Sequence, residues 1–523
     1  MEHHSPRRIS ARQDIIPPMT RRASGILLHP TSLPGPFGIG DLGPESRGFL
    51  QWLNSAGQTV WQMLPLVPPG AGNSPYDGAS AFAGNPLLIS PSDLVEVGLL
   101  MDSDLDDAPD FELRTIHFQQ VATWKSDLLR NAWHRCASST ANQQREQFES
   151  WARAPGQGPW LEDWALFISL KQHFQEKPWM DWPSDLRTRD TDALTAAARE
   201  LREEIDYHKF IQYLFASQWS RLRETATQNN IRLLGDMPFY VALDSADVWA
   251  HRELFKVDVD GQPLAVAGVP PDYFSPTGQR WGNPVFRWEQ HAADGYLWWT
   301  QRVGFSLTQY DMVRIDHFRA FASYWEIDAQ EPTAIHGEWV SGPGNGLFER
   351  LREVLGELPL VAEDLGHITS DVRDLKQQLG LPGMKVLQFG FDSEDSEHLP
   401  HNYSRDTVAY TGTHDNDTAV GWLADIEADK HDSVLDYVGG RGTETHWDLM
   451  RCILTSVADM AIFPIQDVLG LGSPDRMNTP GSSEGNWAWR LEEGSLDSRI
   501  ADRLQRVTAL TGRLGDRHPR SLP

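Results

Sequence analysis

From Gly25 onward the chain alternates between short runs that are almost continuously apolar and longer stretches with apolar residues every three or four positions. The short runs are GILLHP from Gly25, TVWQMLPL from Thr59, IRLLGDMP from Ile231 and DMVRIDH from Asp311. Four more follow: PLVAEDLG from Pro359, MKVLQFGF from Met384, TVAYTGTHD from Thr407 and MAIFPIQDVL from Met460. A strand covered by helices on one side and a core on the other needs such an interior. Polar and charged residues collect at the C-terminal ends of these runs.

Helical periods lie between them. One runs from Asp41, as its cap, through Phe49, Leu50 and Leu53 to Ala56, and stops at Gly57. Leu347, Phe348, Leu351, Val354 and Leu355 form a second face that ends at Gly356, and Val372, Leu375 and Leu379 a third that ends at Gly380. Trp447, Met450, Ile453, Leu454 and Val457 form a fourth, before the last strand. Eight strands alternating with helices, with polar residues at the strand ends, predict an α/β fold, a (β/α)8 TIM-type barrel. A doubly wound open sheet is the competing architecture. Two connections exceed simple loops: about 67–230, helical and Trp-bearing, and about 239–310, with a hairpin turning at Asp260-Gly261. Both leave C-terminal strand ends, so they are expected to build the walls of a cleft. Residues 1–23 hold five Arg and no apolar period and read as a flexible tail, with an organelle transit peptide as the alternative; 24–523 read as one catalytic domain.

Composition narrows the function. The net charge of −27 repels phosphate backbones, so nucleic acid is an improbable partner. No apolar run approaches the length of a membrane span, and two cysteines, Cys136 and Cys452, fit a reducing compartment, the cytoplasm. Twenty-one Trp is an unusual load. It fits either a large core or a sugar cleft, where flat C–H faces of pyranose rings pack on aromatic faces.

Three carboxyls stand at predicted strand ends. Asp316 ends the fourth strand, and Arg314, two residues earlier, shares its face. A guanidinium there favours the ionised form, which a glycosidic nucleophile must have. Glu363 follows the apolar Leu360, Val361 and Ala362, where desolvation and a neighbouring charge raise a pKa as a general acid requires. Asp415 sits in THDND after the seventh strand. Read singly, each has an ordinary explanation: an ion pair, a strand-end salt bridge, an Asx turn. Together at the ends of strands four, five and seven they form a catalytic set. His398 and His401 lie in a polar loop beside Pro400, and no H-E-x-x-H or phosphate-binding glycine loop occurs, so neither metal nor cofactor is expected.

The ordered segments LLHPTSLPGPFGIGDLG, NSPYDGASAFAGNP, LLGDMPFYVALDSADVW, AGVPPDYFSPTGQRWGNP, VRIDHFRAF, VAEDLG, MKVLQF and YTGTHDND resemble those of the 4-α-glucanotransferases, or amylomaltases, of glycoside hydrolase family 77, relatives of the α-amylases. The resemblance implies Asp316 as nucleophile with Arg314 beside it, Glu363 as acid/base, and Asp415 as transition-state stabiliser with His414 beside it. It implies Tyr76, Asp236 and His317 as donor-sugar contacts, and Tyr273, Phe274, Gln279 and Trp281 as an aromatic loop over the cleft, with Asn478 a further contact. Gly268 and Gly278 would be that loop's hinges. Ala320, in place of a glycine after HFR, and Pro276 in the covering loop depart from the family pattern and bear on chain-length preference. The implied activity is retaining transfer of α-1,4-glucan segments between maltooligosaccharides, with glucose or another α-1,4-glucan as acceptor, by a monomer or homodimer. Two alternatives use the same barrel: an α-amylase-type hydrolase and a non-catalytic maltodextrin-binding protein.

Overall fold

The computed structural model describes residues 22–138, 142–271, 275–440, 442–482 and 484–515. The tail through residue 21, with Tyr273 and Phe274, lies outside the described residues. Among the described residues twelve strands occur: β1 (Ala23–Leu27), β2 (Val60–Gln62), β3 (Arg232–Met237), β4 (Ala265–Val269), β5 (Gln279–Pro284) and β6 (Met312–Ile315). The rest are β7 (Ser323–Asp328), β8 (Gly337–Ser341), β9 (Leu360–Ala362), β10 (Gly383–Val386), β11 (Thr407–Tyr410) and β12 (Met460–Pro464).

Eight of them close a parallel barrel in the order β1-β12-β11-β10-β9-β6-β3-β2, one for each apolar run read from the sequence. Strand side chains alternate between two layers. Ala23, Leu27, Val60, Leu234, Val361, Met384, Val408 and Ile462 fill the lumen. Their neighbours Ile26, Trp61, Leu233, Val313, Leu360 and Phe463 face the surrounding helices. The runs are continuously apolar because both layers are buried.

The predicted helices are present as Pro44–Ser55, Asn345–Leu355, Ser370–Leu379 and Thr445–Thr455. Three details differ. The first helix is capped by Gly43, whose amide donates to Asp41 Oδ1 (2.9 Å), because Pro44 at N1 shifts the start three residues on. Val354 and Val457 are exposed, the latter because its helix has already ended at Thr455. The long connection after β2 ends in a 27-residue helix, Arg202–Gln228, which packs on Pro44–Ser55 and leads straight into β3. That helix is therefore a regular barrel element, and the true excursion is shorter than 67–230.

The second excursion also differs. The hairpin turns at Asp260-Gly261, with Gly261 at φ 82° and a Val257–Pro263 bridge. Beyond it, β4 and β5 join β7 and β8 in an antiparallel sheet of order β5-β4-β7-β8. β7 and β8 come from the β6–β9 connection, so a third excursion lies outside the predicted 239–310.

The tryptophans mostly serve the core. Trp61, Trp179, Trp182, Trp249 and Trp299 are fully buried, and among the described residues only Trp281 and Trp339 are exposed. Large rings supply the area needed to seal the long helical excursion onto the barrel.

Gly25 marks where the lumen is tightest. A Cβ there would stand 2.5 Å from the Val60 carbonyl oxygen and 2.8 Å from Ile462 Cδ1, both on neighbouring strands. Overpacking at a site without slack costs about 1–3 kcal/mol. Gly25→Ala is therefore expected to lower the urea midpoint accordingly, while Gly48→Ala, whose Cβ would meet nothing within 4 Å, leaves it unchanged or raised.

Candidate active site

The alternation that fills the lumen also delivers the polar residues to its mouth. On β3 Leu234 is followed two residues on by Asp236, on β6 Met312 by Arg314 and then Asp316, and on β9 Val361 by Glu363. Arg314 is buried at the centre. Its Nη1 donates to both oxygens of Asp236 (2.8 and 2.7 Å), its Nη2 lies 3.0 Å from Asp316 Oδ1, and its Nε points at Met384 Sδ (3.3 Å). The Tyr76 hydroxyl donates to Asp236 Oδ2 (2.7 Å), so Asp236 is bound from two sides.

Glu363 is held by backbone. The amide of His317 donates to its Oε2 and that of Leu365 to its Oε1, both at 2.8 Å. His317 adopts the left-handed conformation, φ 52° and ψ 45°, uncommon for a non-glycine residue. That turn, directly after Asp316, aims the amide at Glu363.

Electrostatics separate the two carboxyls. Burial pushes Glu363 up to about 7; the Arg314 cation opposes this and the Asp316 charge reinforces it. Burial also pushes Asp316 up, to about 6, with Arg314 opposing. The expected depression of Asp316 by Arg314 is thus overturned in net effect. The guanidinium is shared with Asp236, and desolvation outweighs what remains. The contacts differ: Asp316 meets the guanidinium directly, whereas Glu363 is held by two backbone amides. Burial and the Arg319 charge lower His317 to about 3, so it is neutral.

Across the mouth, Asp415 is exposed on the loop after β11. Asn478 Nδ2 donates to its Oδ1 (2.7 Å), Arg476 Nη2 donates to its carbonyl oxygen (2.9 Å), and His414 Nε2 lies 3.4 Å from Oδ1. The Tyr76 and His414 rings stack at 5.0 Å, and Trp487 packs against both at 5.9 Å. On the opposite wall the exposed Trp281 meets His317 edge-on at 4.8 Å, and its Nε1 donates to Gln279 Oε1 (3.1 Å). Gly268 and Gly278 are not hinges. A Cβ on Gly268 would reach the Gln279 carbonyl oxygen at 2.2 Å, and one on Gly278 the Val269 carbonyl oxygen at 2.4 Å, so both permit close strand approach. Ala320 is fully buried in the turn Phe318–Phe321, and Pro276 lies in the exposed Ser275–Gly278 turn.

The sequence reading thus brings together Tyr76, Asp236, Arg314, Asp316, His317, Glu363, His414, Asp415 and Asn478. It missed Arg476 and Trp487, which follow the last strand, where no periodicity distinguishes them. It also missed His29, buried against His414 and lowered to about 3 by burial. His398 Nδ1 accepts the Val386 amide (3.1 Å) and His401 Nδ1 pairs with the Tyr437 hydroxyl (2.8 Å), both local contacts. Among the described residues no group of three or more His, Cys, Asp or Glu could hold a metal ion.

Comparison with known proteins accounts for this arrangement. The family described as 4-alpha-glucanotransferase matches residues 28–496. The chain belongs to the 4-alpha-glucanotransferase family. It is 47% identical over 502 residues to a 4-alpha-glucanotransferase of Thermus thermophilus, covering 94% of this chain and 99% of that protein. A Synechocystis 4-alpha-glucanotransferase is 46% identical over 500 residues, covering 95% and 99%. The amylomaltase of Streptococcus agalactiae, solved in complex with acarbose, superposes with a TM-score of 0.91 at 36% identity and covers 95% of this chain and 100% of its own. The chain is accordingly an enzyme of the 4-alpha-glucanotransferase type, and a non-catalytic binding role is set aside. Among the described residues no helix is long and apolar enough to cross a membrane.

The raised Glu363 carboxyl has a consequence for stability. A free glutamate ionises near 4.5, whereas in the fold Glu363 does so near 7. Between those values the folded state keeps a proton that the unfolded state has lost, so this group's contribution to stability falls as pH rises from about 4.5 to about 7. Glutamine does not titrate. The melting temperature of Glu363→Gln minus that of the parent is expected to climb across this window and level off above it. A flat or falling difference would contradict the desolvation of Glu363.

Proposed function

We propose that this enzyme transfers α-1,4-glucan segments from a maltooligosaccharide donor to glucose or another glucan, with retention, through a glucosyl–Asp316 ester. One observation carries the reading: the backbone amide immediately after Asp316 donates to Glu363, whose carboxyl is pushed up by burial and by the Asp316 charge, while Asp316 itself contacts the Arg314 guanidinium. One carboxyl is thereby poised as acid while its neighbour is a carboxylate.

Asp316 attacks the anomeric carbon as the bond to the departing glucan breaks, and Glu363 gives its proton to the leaving oxygen. The acceptor hydroxyl then displaces Asp316 from the same face and returns its proton to Glu363. Retention needs the two carboxyls about 5–5.5 Å apart. Asp415 grips ring hydroxyls more strongly as the ring flattens, which is where its contribution to rate arises. The stacked Tyr76 and His414 rings form one sugar-facing wall and Trp281 with Gln279 the other. Residues 24–523 act as one catalytic unit without cofactor or metal. The unpaired Cys136 and Cys452 suit a reducing compartment such as the cytoplasm.

The α-amylase-type alternative uses the same carboxyls and differs only in the second acceptor. Incubation with maltotriose alone separates the two. Transfer gives glucose plus a ladder of longer chains, and products no longer than the substrate would sink the transferase reading. Asp316→Asn and Glu363→Gln are each expected to lower kcat by at least about a thousandfold, roughly 4 kcal/mol. A folded variant that keeps a tenth of parental turnover would remove that residue from its role.

A further inference from the structure

The loop after β11 runs from Thr411 to Ala419 and carries His414 and Asp415. Asp415 itself is exposed, with its carboxyl reaching into the mouth, and the loop contains no regular secondary structure of its own. Something must fix it, because a carboxylate that recognises a transition state is worth little if it wanders.

Both ends of this loop converge on one side chain. The Thr411 hydroxyl donates to Asp467 Oδ2 (2.5 Å), and the Ala419 amide donates to Asp467 Oδ1 (2.7 Å). Asp467 lies in the short helix Ile465–Leu469 that follows β12, and it is 1% exposed. Ala419 begins the helix Ala419–Asp425, and Thr411 is the first residue after β11. The same carboxylate therefore clasps where the loop leaves the barrel and where it re-enters a helix.

The span between the tethers is braced internally. Asn416 Oδ1 accepts from the Thr413 amide (2.9 Å) and hydroxyl (3.0 Å), and Asp417 Oδ2 accepts from the Ser473 hydroxyl (2.7 Å). Arg476 and Asn478 then hold Asp415 from the segment beyond Asp467. Burial raises the Asp467 carboxyl to about 6, so its ionised form is present at neutral pH at a cost that its two donors partly offset. A buried carboxylate serving only as filler would be better replaced by an apolar side chain.

We propose that Asp467 is a positioning residue for the transfer reaction: by clasping both ends of the Thr411–Ala419 loop it sets Asp415 at the sugar hydroxyls. The inference rests on the role given to Asp415 under the proposed function. Asp467 touches no substrate and acts only through that loop.

A double-mutant cycle between Asp467 and Asp415 tests it, with kcat and KM for maltotriose and melting temperature measured for each protein. Asp467→Ala is expected to lower kcat by about ten- to a hundredfold, the loss typical of a misplaced group, with KM within about twofold of the parent. In an Asp415→Asn background the same substitution should lower the residual kcat by less than about twofold, since residues acting as one unit are not additive. Asp467→Asn should recover most of kcat, because its carboxamide oxygen can accept from the Ala419 amide and its Nδ2 can donate to the Thr411 hydroxyl oxygen. Equal losses in both backgrounds, or a folded Asp467→Ala with parental kcat, would overturn the proposal; so would an asparagine variant as slow as the alanine one. Should Asp467→Ala not fold, Thr411→Val cuts one tether without emptying the site. Its smaller loss must likewise vanish in the Asp415→Asn background, and persistence there overturns the proposal. If Asp415→Asn turns over like the parent, the role of Asp415 falls and takes this inference with it. Equal losses in the two backgrounds, by contrast, remove only the Asp467 tether.

Discussion

A single buried cation organises the mouth of this barrel. Arg314 stands in a lumen lined mainly by apolar side chains, and it has to be neutralised there, because an unpaired charge in that setting is prohibitive. Two carboxylates do so: Asp236, bound doubly, and Asp316, bound once. That asymmetry matters. Asp236 is wholly committed to Arg314 and Tyr76, whereas Asp316 keeps one oxygen free of the guanidinium and remains partly open to the cleft. Removing the cation would leave three acidic groups, Glu363 included, crowded with no compensation.

The rest of the site is arranged around this constraint. The left-handed turn at His317 follows directly from Asp316, and its amide reaches the next strand's Glu363. Glu363 and Asp316 are thus coupled by covalent chain and a hydrogen bond, not only by field. Tyr76 closes the other side of Asp236 and stacks on His414, which ties the first excursion to the loop after β11. Five separate chain segments therefore meet through one connected set of contacts.

What could be read from the sequence follows from which physical signals are local. The eight barrel strands were legible because burial on both faces leaves continuous apolar runs, and the carboxyls were legible because they end those runs. The strands β7 and β8 were not. Their sequences SYWEID and GEWVS alternate, and β8 is exposed, so they carry no apolar run, and β4, on which β7 pairs, is more than fifty residues upstream. The aromatic load gave two readings because rings that seal a helical insertion and rings that bind sugars have the same composition. Only geometry separates Trp299, buried in the core, from Trp281, open to the cleft. The pKa of Asp316 departs from the sequence reading for a related reason: the sequence displays Arg314 two residues away, but neither the desolvation that outweighs it nor Asp236, which shares the cation. Arg476, Trp487 and Asp467 gave no signal, since each acts through a contact between segments that no period connects.

The antiparallel sheet carries one further implication, mechanical in kind. Its strands are stitched from two successive connections, β4 and β5 from one and β7 and β8 from the next, with β4 paired to β7 along four residues. β7 begins at Ser323, seven residues along the same strand-end segment from Asp316. The wall bearing Trp281 is therefore cross-laced to the stretch of backbone that follows the Asp316–His317 turn. Swinging that wall outward would load the Asp316–His317 corner through β7.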